Sequence, residues 1–195
     1  MEDINGHLVL LMAPSGSGKK AVMDGLGDLK EQLYFAKTYT SREPRQGTEE
    51  NPRYEFVSRD EFEAMIKDDE LIEWAEFSGN YYGTPKQEVL AALLKPQVVF
   101  KEMELQGVQQ MKQFVPAEKL TTIYIDAGGW EALRERVVAR APITDDALAL
   151  RKERYDEEVQ FKPEADVVIT NRNGELETAR ATFRNVIAEV VESVS

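Results

Sequence analysis

An unbroken apolar run, Leu8-Val9-Leu10-Leu11-Met12, ends at Ala13-Pro14 and gives way to Ser15-Gly16-Ser17-Gly18-Lys19-Lys20. A run this short, closed by Pro14, Gly16 and Gly18, predicts a buried strand entering a glycine-rich loop. From Ala21 to Leu29 the apolar residues Val22, Leu26 and Leu29 fall at helical spacing, and Gly25 and Gly27 weaken that helix or end it early. Tyr34 to Tyr39 predicts a short aromatic strand. Thr40 to Pro52 is polar, with Pro44, Gly47 and Pro52, and predicts a loop. Arg59 to Lys67 reads as a helix with Phe62, Met65 and Ile66 inward, opened by Ser58 and Glu61 as a capping box. Leu71 to Phe77 and Tyr81-Tyr82 predict short strands about the turn Ser78-Gly79-Asn80.

The second half alternates more regularly. Gln87 to Leu94 predicts a helix, Gln97 to Leu105 a strand, Gly107 to Phe114 a helix and Leu120 to Ile125 a strand. Trp130 to Arg140 is an amphipathic helix, and Ala147 to Val159 a second, highly charged one. Ala165 to Ile169 is the last strand, and Glu175 to Val194 a long helix with Ala179, Phe183, Val186, Ile187, Val190 and Val191 inward. Strands alternating with helices predict an α/β layered fold with a mostly parallel sheet. The polar, aromatic-rich piece from about 38 to 90 interrupts the alternation as an inserted lobe.

Composition narrows the classes. The 195 residues fit one domain, and 42% hydrophobic content supports a sizeable core. A formal charge of −12 argues against nucleic-acid and anionic-membrane partners. Cysteine is absent and His7 is the single histidine, so disulfides, thiolate sites and multi-histidine metal sites are excluded. His7 is expected at the surface, at a strand entry. Met1-Glu2-Asp3 carries no signal-peptide pattern and no apolar run approaches membrane-spanning length; a cytoplasmic location is the expectation.

The chemistry begins at the loop. Residues 13–20 approximate G-x-x-x-x-G-K-[ST], with Ala13 for the first glycine and Lys20 for the hydroxyl residue. Such loops turn successive N–H groups toward phosphate oxygens, and Lys19 adds a positive charge. Ala13 costs little if its φ stays negative. In the lobe, Arg42 and Arg45 suit bidentate phosphate recognition. Tyr54, Tyr82, Thr38 and Thr84 offer hydroxyls, and Glu73 is an acid amid apolar neighbours that could accept two parallel N–H bonds. Taken singly, surface ion pairs and a small aromatic core explain these residues as well, since exposed pairs are worth roughly 0–1 kcal/mol. Arg136 and Arg140 share one helix face at i, i+4, and Arg151 lies in the next helix. Solvated helices paired with Glu135, Asp145 and Glu153 are their alternative reading.

Together, Thr40-Ser41-Arg42-x-Pro44-Arg45-x-Gly47, Tyr54-x-Phe56-Val57-Ser58, Glu61-Phe62-x-x-Met65-Ile66, Glu73-Trp74-Ala75 and Gly79-Asn80-Tyr81-Tyr82-Gly83-Thr84 closely resemble the guanylate kinase family. The resemblance runs from Leu8 to the C-terminal helix and is densest between 38 and 84. It implies a P-loop NTPase three-layer fold with a GMP-binding lobe and a lid. One domain over 1–195 would divide into a core (1–37, 91–129 and 160–195), the lobe at about 38–90 and the lid at about 130–159. It implies ATP and GMP as partners, magnesium carried with ATP, transfer of phosphate to GMP, and a monomer or homodimer. ATP would meet Ala13, Pro14, Ser15, Gly16, Ser17, Gly18, Lys19, Lys20 and Asn171. Arg42, Arg45, Tyr54 and Tyr82 would hold the GMP phosphate, and Glu73, Thr38 and Thr84 would read guanine, with Glu102 and Glu104 nearby. Lys19, Arg42, Arg136, Arg140 and Arg151 would serve the transfer. Ala-Pro-Ser-Gly occurs at this loop in some members, so Ala13 is no departure.

Other positions do depart. Lys20 has donors and no acceptor for magnesium. Phe100-Lys101-Glu102-Met103-Glu104-Leu105-Gln106-Gly107 stands where the family has Leu-Asp-Ile-Asp-x-Gln-Gly. Both acids are one methylene longer, and Lys101 replaces an apolar strand residue. Arg172-Asn173-Gly174 follows Asn171 where an acidic pair usually stands. Because the phosphate-loop strand and the 97–105 strand are expected side by side, Lys20 could pair with Glu102 or Glu104, or its ammonium could partly replace the metal's charge. Two alternatives stand beside the kinase: a catalytically impaired nucleotide- or phosphopeptide-binding module of this family, and a kinase acting on another small phosphate acceptor. Lys19, Gly16, Gly18 and the three lid arginines favour an enzyme, with magnesium affinity or turnover weakened by Lys20, Glu102 and Glu104; Glu73 with Thr38 favours guanine.

Overall fold

The computed structural model describes residues 4–44, 52–77, 79–140 and 142–194. In chain order its strands are β1 (His7–Met12), β2 (Leu33–Phe35), β3 (Thr38–Thr40), β4 (Tyr54–Phe56), β5 (Leu71–Phe77), β6 (Asn80–Pro85), β7 (Val98–Glu102), β8 (Leu120–Asp126) and β9 (Val167–Thr170). The helices are α1 (Lys19–Met23), α2 (Arg59–Lys67), α3 (Lys86–Leu93), α4 (Leu105–Phe114), α5 (Trp130–Arg140), α6 (Asp145–Glu158) and α7 (Leu176–Ser193).

Five strands form one parallel sheet in the order β2-β7-β1-β8-β9. Its centre explains the unbroken apolar run. Val9 and Leu11 face one layer, with Val22, Leu26, Phe183 and Ile187, while Leu8, Leu10 and Met12 face the other, with Val89, Leu93, Val108 and Met111. A strand covered on both faces by helices has no polar side to show. The loop after β1 therefore leaves from the carboxyl edge of a fully buried strand, where parallel α/β sheets place their ligands.

The second sheet, β4-β3-β6-β5, mixes parallel and antiparallel pairs. α2 covers it through Phe62, fully buried and stacked on Tyr81 at 5.2 Å. The expected capping box is present: the Glu61 N–H donates to Ser58 Oγ at 3.2 Å, and the Ser58 N–H donates to Glu61 Oε2 at 2.7 Å.

Five expectations need correction. The aromatic run Tyr34–Tyr39 is two strands in two sheets, because the chain turns at Ala36-Lys37 from β2 into β3. Tyr54–Phe56, not expected as a strand, pairs in register with Thr38–Thr40. The expected helix at 21–29 is a five-residue α-helix followed by a 3-10 segment, Asp24–Gln32, broken where Gly27 takes φ 54°. β7 ends at Glu102, and Leu105 already begins α4. His7 is half-buried rather than superficial, its Nε2 2.8 Å from Thr121 Oγ1.

Candidate active site

The glycine-rich loop is built for close backbone approach. Gly16 and Gly18 sit at φ 90° and 84°, a region that L side chains rarely adopt. Ala13 keeps a negative φ, since Asp69 is the one non-glycine residue with positive φ among the described residues. The loop is braced from behind: the Ser17 N–H donates to Pro14 O at 3.1 Å, and buried Asn171 donates through Nδ2 to Ser17 O at 2.7 Å. A Cβ on Gly18 would lie 2.6 Å from that Nδ2. Asn171 thus supports the loop's underside. Lys19 folds back, its Nζ 3.3 Å from Ala13 O.

The arginines of α5 and α6 face this loop. A cleft of about 760 Å³ is lined by residues 13–20, Arg136, Arg140, Arg151, Arg154, Glu104 and Glu158, among others. Arg151 hydrogen-bonds Ser15 Oγ. Arg136 donates through Nη2 to Asn171 O at 3.0 Å and to Asn173 Oδ1 at 2.9 Å, so the segment that departs from the acidic pair anchors α5. Arg154 and Glu158 were missed in the sequence, although both follow Arg151 on the same helix. Arg154 also lies over the Phe77 ring at 4.6 Å, at the end of β5. Burial and the neighbouring Glu104 carboxylate push the Glu158 carboxyl up to about 7, against the pull of Lys19.

A second pocket, about 340 Å³, opens between the sheets and is lined by Thr38, Tyr54, Glu73, Tyr82, Lys101, Glu102, Glu104 and Gly107, among others. Thr84 is buried and donates to Glu73 Oε1. Burial raises the Glu73 carboxyl above its usual range, opposed by the Thr84 hydrogen bond and by Lys101. The carboxylate presents its other oxygen near Gly107, where a Cβ would come within 3.4 Å of it. Arg42 stands over the Tyr54 and Phe56 rings at 5.7 and 5.2 Å, outside this pocket's lining. Arg45 lies outside the described residues.

Three side chains depart from the sequence reading. Lys20 is exposed and forms no ion pair with Glu102 or Glu104. Glu102 instead pairs with Arg53 at 2.7 Å, and Arg53 lies 3.8 Å above the Phe35 ring. No local spacing signals that pair, which joins the loop before β4 to β7. Lys101 is not an intruder in an apolar strand: only 4% exposed, it donates to Lys37 O at 2.8 Å and Thr38 Oγ1 at 2.9 Å.

Comparison with known proteins agrees with this geometry. The guanylate kinase family model matches residues 5–190. The chain is 38% identical over 168 residues to a guanylate kinase of a Nostoc species, covering 86% of this chain and 83% of that one. It is 35% identical over 200 residues to a guanylate kinase of Wolinella succinogenes, covering 100% and 93%. The crystal structure of guanylate kinase from Anaplasma phagocytophilum superposes with a TM-score of 0.70 at 26% identity, covering 94% of this chain and 85% of that one. With a glycine-rich loop, the arginines of α5 and α6 facing it and an acid-lined pocket in one molecule, and a family match over nearly all of it, the chain belongs to the guanylate kinase family.

Proposed function

We propose that this protein transfers the γ-phosphoryl group of ATP to GMP, giving ADP and GDP. The observation that carries the reading is that the two clefts share a wall: Phe77, Glu102 and Glu104 line both. A donor on the glycine loop and an acceptor in the second pocket would meet there, and phosphoryl transfer is mostly positioning and charge stabilisation.

In this reading the loop N–H groups hold the donor phosphates, and Lys19 leaves Ala13 O to join them. Arg136, Arg140 and Arg151 neutralise the charge that spreads over the transferred group, with Arg154 as a fourth cation in the same cleft. Arg42, Arg45, Tyr54 and Tyr82 orient the acceptor phosphate. Glu73 accepts from the base N1–H and N2–H, while Thr84 fixes its other oxygen. The division into core, lobe and lid belongs to the same proposal: the lobe brings the acceptor and the lid the arginines.

Magnesium enters as part of the substrate, with ATP. The residues present do not fit a protein-held ion: Lys20 has only donors, Glu102 is engaged by Arg53, and no group of three His, Asp or Glu suited to a metal stands among the described residues. No step is assigned to a protein-bound metal.

The test is Glu73→Gln in a steady-state assay of GDP formation. A hydrogen bond to a charged group is worth about 1.5–3 kcal/mol, so KM for GMP should rise about 10- to 100-fold with KM for ATP unchanged. An unaltered KM for GMP in a folded Glu73→Gln variant would remove the acceptor-site assignment.

A further inference from the structure

Lys101 is a buried cation beside the acceptor pocket, and the bonds it makes have a definite polarity. An ammonium only donates. The oxygen of Thr38 is therefore the acceptor in its 2.9 Å bond with Lys101 Nζ, and the Thr38 proton must point elsewhere. Among the described residues nothing accepts that proton, and Thr38 lines the pocket that holds Glu73. The pocket thus offers an acceptor on the Glu73 side and a hydroxyl donor on the Thr38 side. A 6-oxopurine presents N–H donors and a 6-oxygen acceptor; a 6-aminopurine reverses the polarity at both positions.

We propose that Lys101 is a positioning residue for base selection, fixing the Thr38 hydroxyl as a donor to the purine 6-position so that the pocket takes 6-oxopurine and refuses 6-aminopurine nucleotides. This rests on the second pocket's being the GMP site. The apolar residue that the resemblance implies at this position could not impose that polarity. A neutral amine could not either, because its lone pair would accept the Thr38 proton and withdraw it from the pocket. Glu73 from β5, Glu88 from α3 and Glu102 on the same strand favour the charged form, and Arg53 lines the adjoining cavity. Burial outweighs the three acids and brings the amine down to about 8.

The experiment is a set of dissociation constants for GMP, IMP and AMP, measured by calorimetry on the wild type, Lys101→Met, Thr38→Val and the double variant. The preference for GMP over AMP should fall about tenfold or more in Lys101→Met, and IMP, which keeps the 6-oxygen, should lose affinity with GMP. A site built to hydrogen-bond one group rejects the analogue that lacks it, and removing the donor relaxes that rejection. The double variant should be no less selective than Thr38→Val alone, because Lys101 acts through Thr38. In the wild type the same preference should decline as pH rises from 6.5 to 8.5, and the decline should vanish in Thr38→Val. If Thr38→Val loses selectivity while Lys101→Met keeps it, Lys101 has no part in selection and the pocket assignment stands. If neither variant loses it, the pocket assignment itself fails. Should Lys101→Met not fold, the wild-type pH profile decides, and a flat profile would overturn the proposal.

Discussion

Lys101 shows how one residue can be costly to the fold and useful to the site. A lysine with 4% exposure gives up most of its hydration, and two hydrogen bonds and three nearby acids recover only part of it. The cost has a pH signature. Its folded-state value of about 8 lies below the ordinary 10.5, so between those values the unfolded chain binds more protons and stability grows with rising pH. The contribution is full above about 10.5 and gone below about 8. Thermal unfolding of the wild type and Lys101→Met between pH 7 and 10 should show the wild type gaining on the variant across that window; parallel curves would contradict the assignment. The sequence revealed that Lys101 sits in a strand but not why, since both carbonyl and hydroxyl partners come from the turn into β3, more than sixty residues earlier in the chain. Glu73 and Thr84 were legible because their surrounding motif is dense. Lys20 was misjudged: adjacent strands placed it near two acids, but Arg53, from a distant loop, engages Glu102 first.

Elements were legible where a local pattern decides them. The five apolar residues of β1, the capping box of α2 and the inward stripe of α7 all appear as expected. The failures came where tertiary contact overrides local preference. The aromatic run 34–39 has no internal break, yet it serves two sheets. The Gly25 region is shaped less by helix propensity than by α7. Arg180 donates through Nε to Ala21 O at 2.9 Å, and a Cβ on Gly25 would lie 2.6 Å from Arg180 Cβ. Propensity alone favours Gly25→Ala by about 1 kcal/mol, whereas overpacking costs about 1–3 kcal/mol. Sterics should win, and at about 2–4 °C per kcal/mol the melting temperature should fall by several degrees. A higher melting temperature would mean that α7 shifts aside without strain.

Over the whole molecule, three non-local contacts brace the two clefts. Asn171 ties the end of β9 to the glycine-rich loop, Arg53–Glu102 ties the loop before β4 to β7, and Arg154 over Phe77 ties α6 to the end of β5. Each joins segments far apart in sequence, so none was readable from spacing. The last two involve the shared wall of the two clefts, through Glu102 and Phe77. Lys20, which stands where the loop motif has a hydroxyl residue, lines the first cleft beside Glu102 and Glu104. The most direct measurement is GDP formation from GMP and ATP with magnesium titrated, for the wild type and Lys20→Ser. Wild-type turnover should give GDP and ADP in equal amounts, and Lys20→Ser, where a hydroxyl can join the metal's shell, should reach half-saturation at lower magnesium. A wild type that binds GMP but forms no GDP at any magnesium concentration would contradict the proposed transfer.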